Sequence, residues 1–296
     1  MTDLQQSYYE YLNNSDTSAN TKASYLRDLS QFFEYLSSIG IDEKSATSND
    51  INIYIQQLEA AGKSAATVTR MLASIRGFYK YLISNNIVSE NPAVTVKTSK
   101  KSKRNLPEIL TDREVTLLLS QPDLTDFKGI RDKAMLELLY STGIKVSELV
   151  ELNVNDVNVS LGLLYCNSDK HERIIPIFPQ TLKIVSNYIV QTRPLLVTGN
   201  DQNALFVNMN GNRLTRQGFW KIIKSYTKSA NINKDVTPHM LRHSFAAHLL
   251  ENGANLKDIQ EVLGHSDISS TQVYSQLIKK KYQDTLNRIH PNKKAQ

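Results

Sequence analysis

A single cysteine, Cys166, stands among 296 residues. A disulfide framework within the chain is therefore excluded, and the expectation is a reducing, cytoplasmic setting. No run approaches the roughly 18 apolar residues that a membrane span needs. The opening residues, Met1-Thr-Asp-Leu-Gln-Gln6, lack the basic and apolar regions of a secretory leader. No internal repeat and no low-complexity tract is visible. What the chain does have is ordinary: 40% hydrophobic and 22% charged residues, enough for sizeable cores. Its length exceeds what one core usually organises, so two domains are expected. Lysine and arginine outnumber aspartate and glutamate by 35 to 29, a net charge of +6 with a pI near 9.1. That excess suits a polyanion partner without demanding one.

The first domain, residues 1–96, reads as a helical bundle. Tyr25, Leu29, Phe32, Phe33 and Leu36 fall at helical spacing, as do Ile51, Ile55 and Leu58, and then Val68, Leu72, Ile75, Tyr79 and Leu82. These stripes are core. Lys22, Arg27, Lys63, Arg70, Arg76 and Lys80 lie on the polar sides, where solvation is the ordinary role of a charge. Asn91-Pro92 is expected to end the last helix. Residues 97–107 then form an aperiodic linker whose charges, Lys97, Lys100, Lys101, Lys103 and Arg104, are all basic.

A second domain, 108–296, opens with Thr111-Asp-Arg-Glu114, a capping box. The apolar helix from Ile130 to Tyr140 is expected to stop at Gly143. Leu163–Cys166 and Arg173–Ile177 flank a polar turn and predict a β-hairpin. A short strand is expected over Ala204–Val207, and helices over 215–230, 238–252, 256–263 and 270–285. The fold class is thus mainly α, with an α+β second domain holding a small sheet.

The chemistry-bearing residues crowd the C-terminal third. Thr237 and Pro238 are a natural N-cap and first helical residue. His239 and Arg242, three apart, share one face of that helix, near an N-terminus that favours anions. A cation, an imidazole and a helix N-terminus together make a phosphate site. His239 and His243 are four apart, as in zinc-binding helices. Met240 stands where such helices carry glutamate, and Arg242 would repel a cation, so no metal is expected. Gly264 ends a helix just before His265, and Tyr274 follows nine residues later.

His239-Met-Leu-Arg242, Leu263-Gly-His265 and Tyr274 together resemble the catalytic signature of the tyrosine recombinase (integrase) family. Ser141-Thr-Gly-Ile-Lys-Val-Ser-Glu-Leu149 resembles its first arginine box. The likeness runs the full length, and the chain length and His290-Pro291 are similar to the Xer branch. The resemblance implies an N-terminal core-binding (SAM-like) domain and a C-terminal catalytic domain closing on DNA as a C-shaped clamp. It implies that Tyr274 attacks a phosphodiester to give a 3′-phosphotyrosyl link, and that a second strand's 5′-hydroxyl reverses the step through a Holliday junction. Neither ATP nor metal is needed, because the covalent link conserves the bond energy. Arg242 and the residue at 145 would hold the nonbridging oxygens, and His239 and His265 would assist proton transfer.

The resemblance also implies a tetramer on two DNA sites, with itself or a second recombinase, a septal DNA translocase as activator, and either chromosome or plasmid dimer resolution or mobile-element integration. Phosphate contacts are expected from Lys22, Arg70, Arg76 and Lys80, with the linker's Lys100, Lys101, Lys103 and Arg104 crossing the backbone. Arg70 and Arg76 are alternatively readers of guanine. Tyr282, Leu286 and Ile289 offer an apolar stripe, to a neighbouring protomer or to this chain's own core.

Two positions depart from the family pattern. Lys145 stands where the box carries arginine, keeping the charge but losing the planar fork. In the hairpin, the family's catalytic lysine falls on Ser168 when aligned on Arg173, which leaves Lys170 as the expected general acid. These departures keep a second reading open, a DNA-binding partner without robust cleavage beside an active paralogue. A type IB topoisomerase shares the chemistry, but the short chain and the N-terminal domain count against it.

Overall fold

The computed structural model describes residues 2–99, 106–168, 171–198, 202–264 and 273–277. The chain divides into two compact units, residues 1–104 and 105–296.

The N-terminal unit holds four helices: α1 (Asp3–Asn13), α2 (Ala19–Ser38), α3 (Ser48–Ala60) and α4 (Ala65–Ser84). Each opens on a hydroxyl cap, from Thr2, Ser18, Thr47 and Ser64 in turn, which accepts a backbone N–H three residues on. The expected stripes form the core, with Phe32, Ile51, Val68, Ile75, Tyr79 and Leu82 all fully buried. Asp28 is buried with them, and Arg70 supplies the fork that makes this tolerable, donating to both carboxylate oxygens at 2.8 and 2.9 Å.

The last helix stops earlier than Asn91-Pro92. It ends at Ser84, and Asn86 takes a left-handed φ of 54°. Arg76 holds the segment that follows, donating to the carbonyls of Ala93 and Val96 at 3.0 and 2.6 Å.

The C-terminal unit begins with α5 (Asp112–Leu119), α6 (Phe127–Thr142) and α7 (Val146–Glu151). The Thr111 capping box forms as read: Thr111 Oγ1 accepts from the Glu114 N–H, and the Glu114 carboxylate accepts from the Thr111 N–H. A three-stranded antiparallel sheet follows in the order β1 (Val157–Asn158), β2 (Leu163–Ser168), β3 (His171–Pro176). Pairing runs out to Ser168 opposite His171, so the hairpin's strands extend into the stretch read as a six-residue turn. The pair Cys166 and Arg173 lies on the same face as Leu164 and Ile175, which are buried. β3 thus turns a charged residue inward and Ile174 outward.

Beyond the sheet come α8 (Pro179–Asn187), a π turn over Tyr188–Thr192, α9 (Arg193–Leu196), α10 (Arg216–Ser229), α11 (Pro238–Glu251) and α12 (Leu256–Leu263), with 273–277 helical. The strand expected at Ala204–Val207 reduces to two isolated bridges, from Ala204 to Asn153 and from Val207 to Arg213. Its four buried residues are core, but among the described residues they join no strand of the sheet. α11 is buried around most of its circumference, so its polar side chains need internal partners. Ser244 accepts the Leu110 N–H, and His248 lies between the Tyr140 hydroxyl and the Leu110 carbonyl.

Candidate active site

The site is assembled from the ends of helices. α6 stops at Gly143, whose φ of 61° is left-handed as expected, and a Cβ there would sit 2.3 Å from the Phe245 ring. Two residues on, Lys145 stands at the N-cap of α7. Its backbone N–H donates to the Glu148 carboxylate at 2.7 Å, and the residue is exposed. α12 likewise stops at a left-handed glycine, Gly264, with φ 63°. A Cβ on Gly264 would lie 3.0 Å from the Arg173 guanidinium, so this glycine also makes room for a charged neighbour.

Arg242 is the joint between these ends. It is 5% exposed, and its terminal nitrogens donate to the Gly143 carbonyl at 2.5 Å and the Leu263 carbonyl at 2.6 Å. Both acceptors lie at the C-terminal ends of helices, where the dipole is negative. These bonds bring the first box to the Leu-Gly-His motif through one side chain. They use two of its five N–H donors. Burial lowers the Arg242 pKa to about 10, which leaves it charged at neutral pH.

A second bond set runs parallel to the first. Arg173, the inward-facing residue of β3, forks onto Glu148 at 2.8 and 2.9 Å, and its Nε donates to the Val262 carbonyl. Burial works to raise the Glu148 pKa. The Arg173 fork, the Lys145 N–H and the nearby charge of Arg242 outweigh it and hold the carboxyl below its ordinary range. The hairpin, α7 and the end of α12 are thereby tied together.

The third feature is the tyrosine. Tyr274 is completely buried, and its hydroxyl lies 2.9 Å from Nδ1 of His243, the residue after Arg242. Burial, then the charges of His239 and Arg242, lower the His243 pKa to about 4, so the ring is neutral at pH 7. With the imidazole proton on Nε2, the phenol donates and Nδ1 accepts. Burial raises the Tyr274 pKa and the charge of Arg242 opposes it, so the phenol is protonated at neutral pH. His239 sits exposed in the first turn of α11, capped by Thr237.

Arg242, the backbone around Lys145, the Leu263 carbonyl and Tyr274 thus form one connected set. His265 and Lys170 lie outside the described residues, as do Lys100, Lys101, Lys103, Arg104, Tyr282, Leu286 and Ile289. Two of the cations expected at phosphates have internal partners. The Arg70 guanidinium is committed to Asp28, and that of Arg76 to backbone carbonyls. Lys22 also has an internal partner, the Asn13 carbonyl, whereas Lys80 is exposed.

Glu148, Arg173 and His243 escaped the sequence reading as members of the site. An inward arginine in an otherwise apolar strand was the available signal for the first two. A further basic element went unread. α10 carries Arg216, Lys221, Lys224 and Lys228 and no acid, and it packs against α7. Its Trp220 is half-exposed, with the Lys224 ammonium 4.9 Å from the ring centre and also bonded to Asp235.

Known proteins bear on this geometry. The phage integrase family matches residues 108–281, and the N-terminal SAM-like domain of phage integrases matches 6–86. A tyrosine recombinase XerD of Oceanobacillus iheyensis is 45% identical over 93% of each chain. One from Staphylococcus epidermidis is 42% identical over 95% of this chain and 97% of its own. Among solved structures, the XerH site-specific recombinase bound to its difH substrate superposes with a TM-score of 0.75 at 19% identity, covering 89% of this chain and 78% of that one. A lambda integrase dimer on a core site gives 0.73 at 17%, covering 93% and 94%. The full-length agreement with recombinases does not favour the reading as a partner without cleavage. The chain belongs to the phage integrase family and is, within it, a site-specific tyrosine recombinase of the Xer type.

Proposed function

We propose that Tyr274 is the nucleophile of this recombinase and that Arg242, Lys145, His239, His265 and Lys170 serve it. The Tyr274 hydroxyl gives its proton to a histidine of the site and its oxygen attacks the scissile phosphorus, while the 5′-oxygen leaves, taking a proton from Lys170. A 5′-hydroxyl from the partner strand then displaces Tyr274, which recovers its proton. The observation that carries this reading is the bonding of Arg242. It joins the first box to the Leu-Gly-His motif, and the next residue on its helix holds Tyr274. The remaining Arg242 donors and the Lys145 ammonium would take the nonbridging oxygens as charge builds. His239 and His265 would assist the proton transfers.

DNA contact is assigned to Lys80 and to the exposed cations of α10, Arg216, Lys221 and Lys228, with the linker's Lys100, Lys101, Lys103 and Arg104 on the backbone. Lys22 joins them if it gives up its bond to Asn13. The working unit is a tetramer on two sites, with itself or a second recombinase. A septal DNA translocase is the proposed activator, and chromosome or plasmid dimer resolution, rather than mobile-element integration, is the proposed role. Among the described residues no helix is long and apolar enough to cross a membrane, and a cytoplasmic location is part of this proposal.

Covalent trapping on a nicked substrate carrying the cognate site tests the assignment. The parent forms an adduct, Tyr274→Phe forms none, and Lys145→Arg forms it faster, by roughly a hundred- to thousandfold. An adduct that survives Tyr274→Phe would sink it.

A further inference from the structure

We infer that His243 is a positioning residue for the nucleophile, and that its Nδ1 holds the Tyr274 hydroxyl inside the catalytic domain until DNA is engaged. The inference rests on Tyr274 being the nucleophile. A phenol that is to reach a phosphodiester has to meet solvent-accessible DNA, yet this one is completely buried. A buried tyrosine hydroxyl needs a hydrogen-bond partner to remain so. Its partner is Nδ1 of His243, at 2.9 Å, with the two rings tilted by 52° and their centres 5.6 Å apart.

His243 is fixed by its place on α11, between Arg242, which is bonded to two helix ends, and Ser244, which is bonded to Leu110. The anchor is therefore rigid and the tyrosine is the part that moves. Once Tyr274 turns toward a phosphate, this bond is broken and Nδ1 is left to water. The contact favours the withdrawn position and opposes cleavage, so its removal releases the nucleophile.

Two readouts test this on the full-length protein. The first is nitration of Tyr274 by tetranitromethane without DNA, followed at that residue by peptide mass. The second is the single-turnover rate of adduct formation on the nicked substrate. His243→Ala should raise both about five- to tenfold, the factor set by one neutral hydrogen bond. His243→Asn, whose side-chain carbonyl lies close to the position of Nδ1, should bring both back toward the parent. Nitration of His243→Ala at the parent rate overturns the inference, as does slower adduct formation without faster nitration.

Where circular dichroism shows that the alanine variant is unfolded, His243→Asn against His243→Gln decides. Glutamine carries its acceptor one bond further out, so faster nitration than in the asparagine variant supports the latch, and equal rates overturn it. Survival of the adduct in Tyr274→Phe instead marks a failure of the nucleophile assignment, whatever the nitration rates.

Discussion

Glu148 and Arg173 are 25 positions apart in the chain and nearly out of solvent, with side-chain exposures of 6% and 11%. Removing one member of such a pair strands the other. Glu148→Ala should therefore destabilise the catalytic unit by about 3–5 kcal/mol in urea unfolding, whereas replacing both by apolar residues of similar size should cost less. His243 gives a pH signature. Its folded pKa of about 4 lies below the ordinary 6.5, so the unfolded chain binds the extra proton between those values. The stability it contributes is complete above pH 6.5 and is lost as pH falls toward 4, on the order of 1–2 kcal/mol for a partly exposed ring. Thermal melts from pH 4 to 7 should show this slope in the parent and a flatter one in His243→Asn. At this scale the sequence was legible where chemistry has a local signature. His239, Arg242 and Tyr274 were singled out by their likeness to the family's signature. Glu148 and Arg173 were not, because a long-range ion pair leaves no periodic trace.

Helix ends organise the site, and both decisive ones are glycines in the left-handed region. Gly143→Ala should lose roughly 1–2 kcal/mol from the backbone alone, and more because the new methyl meets the Phe245 ring. Gly40→Ala has a similar φ of 70° with nothing near the added atom, so it isolates the backbone share. Comparing their denaturation midpoints separates strain from collision. The caps at Thr111, Thr237 and Gly143 were readable because capping chemistry is local. The end of α4 was not. Proline at 92 forbids a helix there, but the left-handed Asn86 had already stopped it. The Ala204–Val207 segment misled for the opposite reason. A short buried apolar run signals burial, and whether it becomes a strand depends on a neighbour that only the tertiary fold supplies.

Each unit of the molecule carries its own core, one drawn from residues up to Val96 and the others from Leu110 onward. The sequence reading expects a linker over 97–107, where the helical pattern breaks. The distribution of free cations was less legible. A polar helix face records where charges are, while the structure records which are already engaged, as Arg70 and Arg76 are. If α10 meets phosphate, replacing Arg216, Lys221 and Lys228 together by alanine should flatten the dependence of log Kd on log salt by roughly 2–3. Arg70→Ala should instead lower stability, with little change in that slope. Binding titrations at several salt concentrations distinguish the two.

Arg242 is also a structural bolt, since three helices meet on it. Removing it would free the ends of α6 and α12 at once. Lys145 and His239 are exposed, outside the buried core of the described residues. Under the roles proposed above, substitutions at 145 and 239 should therefore change activity with little effect on the stability of the catalytic unit. The lysine at 145, the clearest departure from the family's pattern, sits where the fold itself tolerates a change.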